Sequence, residues 1–112
     1  MTTQASLHAL LSCLDRLAEP AAAQVDYLSK LGAVGLADEL ALEFEDLYRP
    51  LEGQLDRLTP DCAAACRVVD RALANKHLGW SFDDLGSPEW ERVREYASTA
   101  SAALRRDLAS GR

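Results

Sequence analysis

The feature that most limits the fold is what the chain lacks. It contains no isoleucine, five valines and four threonines, against nineteen leucines and nineteen alanines. Pleated, half-buried surfaces are built from β-branched and aromatic side chains, and this supply does not furnish a sheet. Alanine and leucine are the strongest helix formers, so the composition predicts an all-α fold. A chain of 112 residues supports one hydrophobic core. A single domain over 1–112 is therefore expected, an up-and-down bundle of four to five helices with flexible ends at about 1–5 and 110–112.

Hydrophobic spacing places the helices. Leu7, Leu10, Leu11, Leu14 and Leu17 predict a helix over 6–18 that Glu19-Pro20 ends. Pro20 suits the first turn of a second helix, whose face of Val25, Leu28 and Leu31 stops at Gly32. The Gly-Ala-Val-Gly stretch over 32–35 reads as a helix C-cap and turn. Leu36, Leu40, Phe44, Leu47, Leu51, Leu55 and Leu58 then form a core stripe on a third, long segment. Pro50 lies inside it, where a proline lacks the N–H and crowds the carbonyl four residues back at ~3 kcal/mol, so a kink or break is expected. Thr59-Pro60-Asp61 reads as cap, first-turn proline and first-turn acid of a helix to about Leu78. Its inner face is Cys62, Ala65, Cys66, Val69, Ala72 and Leu73. Ser81 and Asp84 are spaced as a capping box for one short turn. Ser87-Pro88-Glu89 starts a last helix to about Ala109, with Trp90, Val93, Ala97, Ala100, Leu104 and Leu108 inward.

Charge bounds the partners. The net charge is −6, and a field of that sign repels phosphate backbones and anionic lipid, so neither nucleic acid nor a membrane is expected as partner. Apolar runs are a few residues long, against the ~20 needed to span a bilayer. The first residues lack the basic region of a signal peptide, and an odd cysteine count, three, fits reduced thiols, so a cytoplasmic location is expected. Between 36 and 61 stand Asp38, Glu39, Glu43, Glu45, Asp46, Glu52, Asp56 and Asp61 against Arg49 and Arg57, a local excess equal to the net charge of the whole chain.

On a helical wheel Asp38, Glu45, Glu52 and Asp56 line the side opposite the core, with Leu42 projecting beside them. Such a face is either solvated surface or a docking site for a basic protein, with carboxylates steering the encounter and Leu42 and Tyr48 as anchors. A second candidate surface is the loop holding both tryptophans: Trp80, Phe82, Asp83 and Asp84 either form a recognition patch or close the end of the bundle.

Catalytic and metal chemistry have thinner support. Glu39, Glu43 and Asp46 share one stripe at i, i+4, i+7 and would hold a divalent cation if another helix supplied oxygen ligands. The Glu43-x-x-Asp46 fragment resembles half of the motif of the all-α nucleoside triphosphate pyrophosphohydrolases of the MazG type. The resemblance covers four residues, and that family's upstream Glu-Glu-x-x-Glu has no counterpart here, where only Asp15, Glu19 and Asp26 stand. Cys62 and Cys66 lie one turn apart on an apolar arc, as buried thiols do; a redox pair, or a ligand set completed by Cys13, is the alternative. His77 lies too far along from Cys62 to join them, about 22 Å at 1.5 Å per residue. His8 and His77 accompany no nucleophile turn. A non-catalytic protein-binding module with no cofactor is the reading expected. A helical divalent-metal enzyme or subunit acting on a phosphorylated or nucleotide substrate comes second, and a homodimer or larger homo-oligomer third.

Overall fold

The structure, a computed structural model, describes residues 2–33 and 35–110. Among them six α-helices form: α1 (Thr3–Ala18), α2 (Ala21–Lys30), α3 (Asp38–Tyr48), α4 (Glu52–Leu58), α5 (Pro60–Leu73) and α6 (Pro88–Ala109). The all-α bundle expected from composition is what is found, and counting the broken α3–α4 segment once gives five helices.

Local chemistry sets the helix ends. The Thr2 hydroxyl accepts from the Ala5 N–H at 3.1 Å, which starts α1 three residues before the apolar spacing does; Thr3 to Ala5 are helical rather than frayed. Residues 1, 111 and 112 of the expected flexible ends lie outside the described residues, as does Val34 of the 32–35 turn. The end of α2 is a Schellman turn: Gly32, at φ 84°, donates to the Ser29 carbonyl and Ala33 to that of Leu28. Ser87 caps α6 as expected, accepting from the Trp90 N–H at 3.3 Å. Thr59 does not behave as a cap. Its hydroxyl makes no bond to the start of α5 and is buried without a hydrogen-bond partner among the described residues.

Two other expectations are corrected. α5 ends at Leu73, not near Leu78, because the Asn75 side chain accepts from the His77 N–H at 3.0 Å and offers the backbone a turn in place of another helical round. The long third segment breaks at Pro50 into α3 and α4 across a 3₁₀ turn, Arg49–Leu51. Its buried face follows Leu40, Phe44 and Tyr48 at i, i+4, i+8, then Leu51 and Leu55. Tyr48 is thus 1% exposed and stacks on Phe44 with ring centroids 4.9 Å apart, so it is not an outward anchor. The ends of the expected stripe leave the core: Leu36 precedes the helix and is 53% exposed, and Leu58 is 37% exposed.

α6 is the centre of the packing. It lies against α1 and α5, while α1 also packs on α3 and α4 on α5. Trp90, Val93, Ala97, Ala100 and Leu104 of α6 are fully buried, and the two alanines leave room for neighbouring helices. A buried polar link ties in the short α2. Gln24 donates to the carbonyls of Arg16 and Leu17, at 3.2 and 3.0 Å; the first also accepts from the Glu19 N–H at the C-cap, and the second lies in the last turn of α1, where carbonyls lack an intrahelical donor. Its own carbonyl accepts from Arg94 Nη1 at 3.1 Å. Arg94 stands one turn from Trp90 on the inner face of α6, and its remaining donors reach Glu91.

Gln24→Leu leaves the Arg94 donor and the Leu17 carbonyl unmatched inside the protein, and should lower unfolding free energy by about 1–3 kcal/mol in urea denaturation. Gln54→Leu, at an exposed position of α4, should change it by no more than about 0.5 kcal/mol. Equal effects would refute the structural role of Gln24.

Candidate functional site

The acidic helix and the tryptophan loop meet. Residues 35–37 run antiparallel to residues 80–82: Ala37 N–H donates to the Trp80 carbonyl at 2.7 Å and Phe82 N–H to that of Gly35 at 3.1 Å, around an isolated bridge between Leu36 and Ser81. Gly35 enters this bridge at φ 74°, which a residue with a side chain seldom adopts. Trp80 is also held edge-on against Trp90, centroids 5.8 Å apart, and the Trp90 indole N–H donates to the Gly79 carbonyl at 2.7 Å.

The Ser81–Asp84 box forms as its spacing predicts. Asp84 Oδ2 accepts from the Ser81 N–H and hydroxyl at 3.0 and 2.8 Å, and the Asp84 N–H donates back to Ser81 Oγ at 3.2 Å. These bonds favour the charged carboxylate and hold its pKa below the ordinary value. A Cβ on Gly79 would stand 2.2 Å from that carboxyl, so the box requires glycine there.

The result is a groove of about 370 Å³ between α3, α5 and the loop. Its apolar lining is Ala41, Leu42, Phe44, Leu73, Ala74 and Trp80; Asp38, Glu45, Arg49 and Asp70 form its polar edge. Leu42 is 50% exposed and Trp80 half-buried. Arg49 grips Glu45 through Nε and Nη2 at 2.9 and 2.7 Å, Glu52 at 3.0 Å and Asp70 at 2.9 Å, with its guanidinium 5.3 Å from the Tyr48 ring centroid. Three carboxylates sharing one cation raise the Arg49 pKa, the Glu45 bond contributing most, and that same bond lowers the pKa of Glu45. Asp38 has no ion-pair partner among the described residues.

The wheel thus placed Asp38, Leu42 and Glu45 at a common site, and the structure adds Trp80 to them. Glu52 reaches it only through Arg49. Asp56 pairs instead with Arg67 of α5 at 2.9 Å, because the 3₁₀ turn rotates α4 out of phase with α3. Phe82, Asp83 and Asp84 lie outside the groove: Phe82 packs against the core and Asp84 is spent on the turn. Sequence reading missed Asp70 and Arg49, whose joint role needs the α3–α5 contact.

The carboxylate stripe is not an open ligand set. Glu43 accepts from Arg16 at 2.6 and 2.9 Å and from the Tyr27 hydroxyl at 2.5 Å, with Arg16 stacked 4.3 Å over the Tyr27 ring. Burial and that bond push Tyr27 up to about 12. Glu39 and Asp46 share the surface around Glu43, yet among the described residues no three His, Cys, Asp or Glu side chains converge as metal ligands. Asp15, upstream, is held by Ser101 and Arg105. Cys13, Cys62 and Cys66 are buried and free. Cys62 and Cys66 Sγ lie 3.7 Å apart; Cys66 is raised by its bond to Cys62 and by burial, and burial pushes Cys13 up to about 12. His8 and His77 are both exposed, and the His8 ring lies within hydrogen-bond distance of the Gln4 side chain at 3.3 Å.

Comparison with protein-family models, curated proteins and solved structures finds no match to this chain. Among the described residues no helix is long and apolar enough to cross a membrane.

Two measurements check this geometry. Because the folded pKa of Asp84 is depressed, its contribution is full above the ordinary carboxylate value and is lost as pH falls through the depressed one. Tryptophan emission should therefore change in acid before helicity is lost, and Asp84→Ala should lack that step; an unchanged step in the variant would overturn the assignment. Ellman's reagent at mildly alkaline pH should leave all three thiols unreacted in the native protein and titrate them after unfolding; rapid native labelling would contradict their burial.

Proposed function

We propose that this protein is a non-catalytic binding module that docks a basic protein segment through the groove between α3, α5 and the tryptophan loop. One observation carries the reading: an exposed leucine and a half-buried tryptophan share a single concavity whose edge is acidic. Leu42 alone is an ordinary exposed apolar residue. Beside Trp80, with Leu73 and Ala74 behind, it makes a pocket for an apolar side chain, which is how interface anchors bind. Asp38, together with Glu45, Glu52 and Asp70 on one arginine, leaves negative charge in excess at the edge, so the complementary segment carries Lys or Arg around its anchor.

The same charge disfavours nucleic acid, and a cytoplasmic setting with reduced thiols fits three unpaired cysteines. The metal-dependent reading is weakened by the saturation of Glu43 by Arg16 and Tyr27.

The test is an NMR titration with a cationic amphipathic peptide bearing one leucine anchor. Amide shifts should concentrate at residues 38–45, 70–74 and 80, weaken with salt, and lose about tenfold in affinity in Leu42→Gln, a buried anchor being worth more than 1.4 kcal/mol. Shifts spread over all acidic surfaces, or indifferent to Leu42→Gln, would overturn the proposal. Helicity measured in parallel excludes misfolding of the variant.

A further inference from the structure

α5 separates the acidic groove from a second one of opposite character. Between α5 and α6 runs an open groove of about 470 Å³, walled by Arg71 and Asn75 on one side and Glu89, Arg92 and Tyr96 on the other, with Ala72 at its base. Arg92 and Tyr96 are four residues apart and so stand one above the other on α6, while Arg71 is in the last turn of α5 and Asn75 lies in the turn that follows it. Each wall thus carries a guanidinium and a neutral hydrogen-bonding group.

Four described cations, Arg57, Arg71, Lys76 and Arg92, stand outside the ion pairs, and two of them line this groove. The chain has eighteen acids for twelve Lys and Arg, and most of its described cations sit within an ion pair. Arg16, Lys30, Arg49, Arg67, Arg94, Arg105 and Arg106 all have a carboxylate partner. Among the described residues, Arg71 and Arg92 have none, although Glu89 lines the same groove. Arg71 gives one long N–H contact, 3.4 Å, to the Arg67 carbonyl. Two guanidinium forks thus line one concavity with most of their donors uncommitted, and that arrangement suits an anion with several oxygens.

We propose that the α5–α6 groove binds a small phosphomonoester. Its dianionic group, with three terminal oxygens, would be shared between Arg71 and Arg92, with Asn75 and the Tyr96 hydroxyl as further partners. A monocarboxylate offers one charge and two oxygens, too few for both forks. Glu89 would accept from a hydroxyl on the organic part, and its charge works against a bare anion. The groove should therefore prefer a sugar phosphate to inorganic phosphate. This site is independent of the peptide-docking groove: it lies on the other side of α5 and shares none of its lining residues.

The probes are ribose 5-phosphate, inorganic phosphate and unphosphorylated ribose, followed through backbone amides and arginine Nε–H resonances. Ribose 5-phosphate should move residues 68–75 and 89–96. Arg71→Gln and Arg92→Gln should each weaken it about tenfold, the value of one charge-assisted hydrogen bond of roughly 1.5 kcal/mol, and the double variant should abolish it. Glu89→Gln should tighten inorganic phosphate while narrowing the preference for the sugar phosphate. All three positions are at the surface, and unchanged circular dichroism verifies folding. Absent shifts, shifts elsewhere, shifts retained in the double variant, or equal shifts with ribose would each overturn the proposal. Both arginine variants should bind the cationic peptide as the unmodified protein does, so failure here is distinguishable from failure of the docking reading.

Discussion

Two backbone hydrogen bonds, Ala37 to Trp80 and Phe82 to Gly35, hold the candidate docking surface together. They join segments more than forty residues apart, in a protein whose other backbone bonds are almost all local to a helix or its cap. Without them the loop after α5 would have no fixed relation to the start of α3, and Leu42 and Trp80 would be two unrelated exposed apolar groups. The bridge works because its surroundings are fixed in turn. Gly35 supplies the left-handed turn into it, Asp84 holds Ser81, and Trp90 anchors Gly79 from inside the core. The groove is thus tied through Trp90 to α6, the helix at the centre of the packing, rather than to a loose connection.

Arg49 does comparable work for charge. Three carboxylates from α3, α4 and α5 would repel one another, and a single guanidinium just after the end of α3 holds all three. It stands beside the proline that breaks the helix, so the break and the ion cluster are one feature: the 3₁₀ turn lets the chain fold back toward α5 while Arg49 spans the joint. Exposed pairs of this kind add little to stability. Their effect is positional, keeping Glu45 and Asp70 at the edge of the groove.

Much of the fold was legible because helical periodicity, proline and capping residues are local signals. Ser87, the Ser81–Asp84 box, the Gly32 turn, the buried cysteines and Trp90 were all readable in this way. The misreadings came where a tertiary partner decided the outcome. Tyr48 fits a solvent face by hydropathy, yet the Phe44 stack draws it in. Glu43 looks like a free carboxylate until Arg16 and Tyr27 arrive from other helices. Arg94 offered a signal that could have been used, since it falls on the inner arc of α6 with Trp90 and Ala97, where a charged residue implies a buried partner. The groove was half visible: spacing puts Asp38, Leu42 and Glu45 on one helix face, whereas their union with Trp80 and Asp70 in one concavity depends on long-range pairing that no spacing rule encodes.

The placement of α5 between an acidic and an arginine-lined groove bears on what the net charge means. The two grooves are set apart by one helix diameter, roughly 10 Å, whereas charges in physiological salt are felt over about 8 Å. Ions in one groove are therefore partly screened from the other, and the value of −6 describes the protein only to a distant observer in dilute salt. At contact range it presents two faces of different character, one edged by carboxylates and one lined by two arginines outside the ion pairs. Ion-exchange retention and isoelectric point average over these faces and report neither.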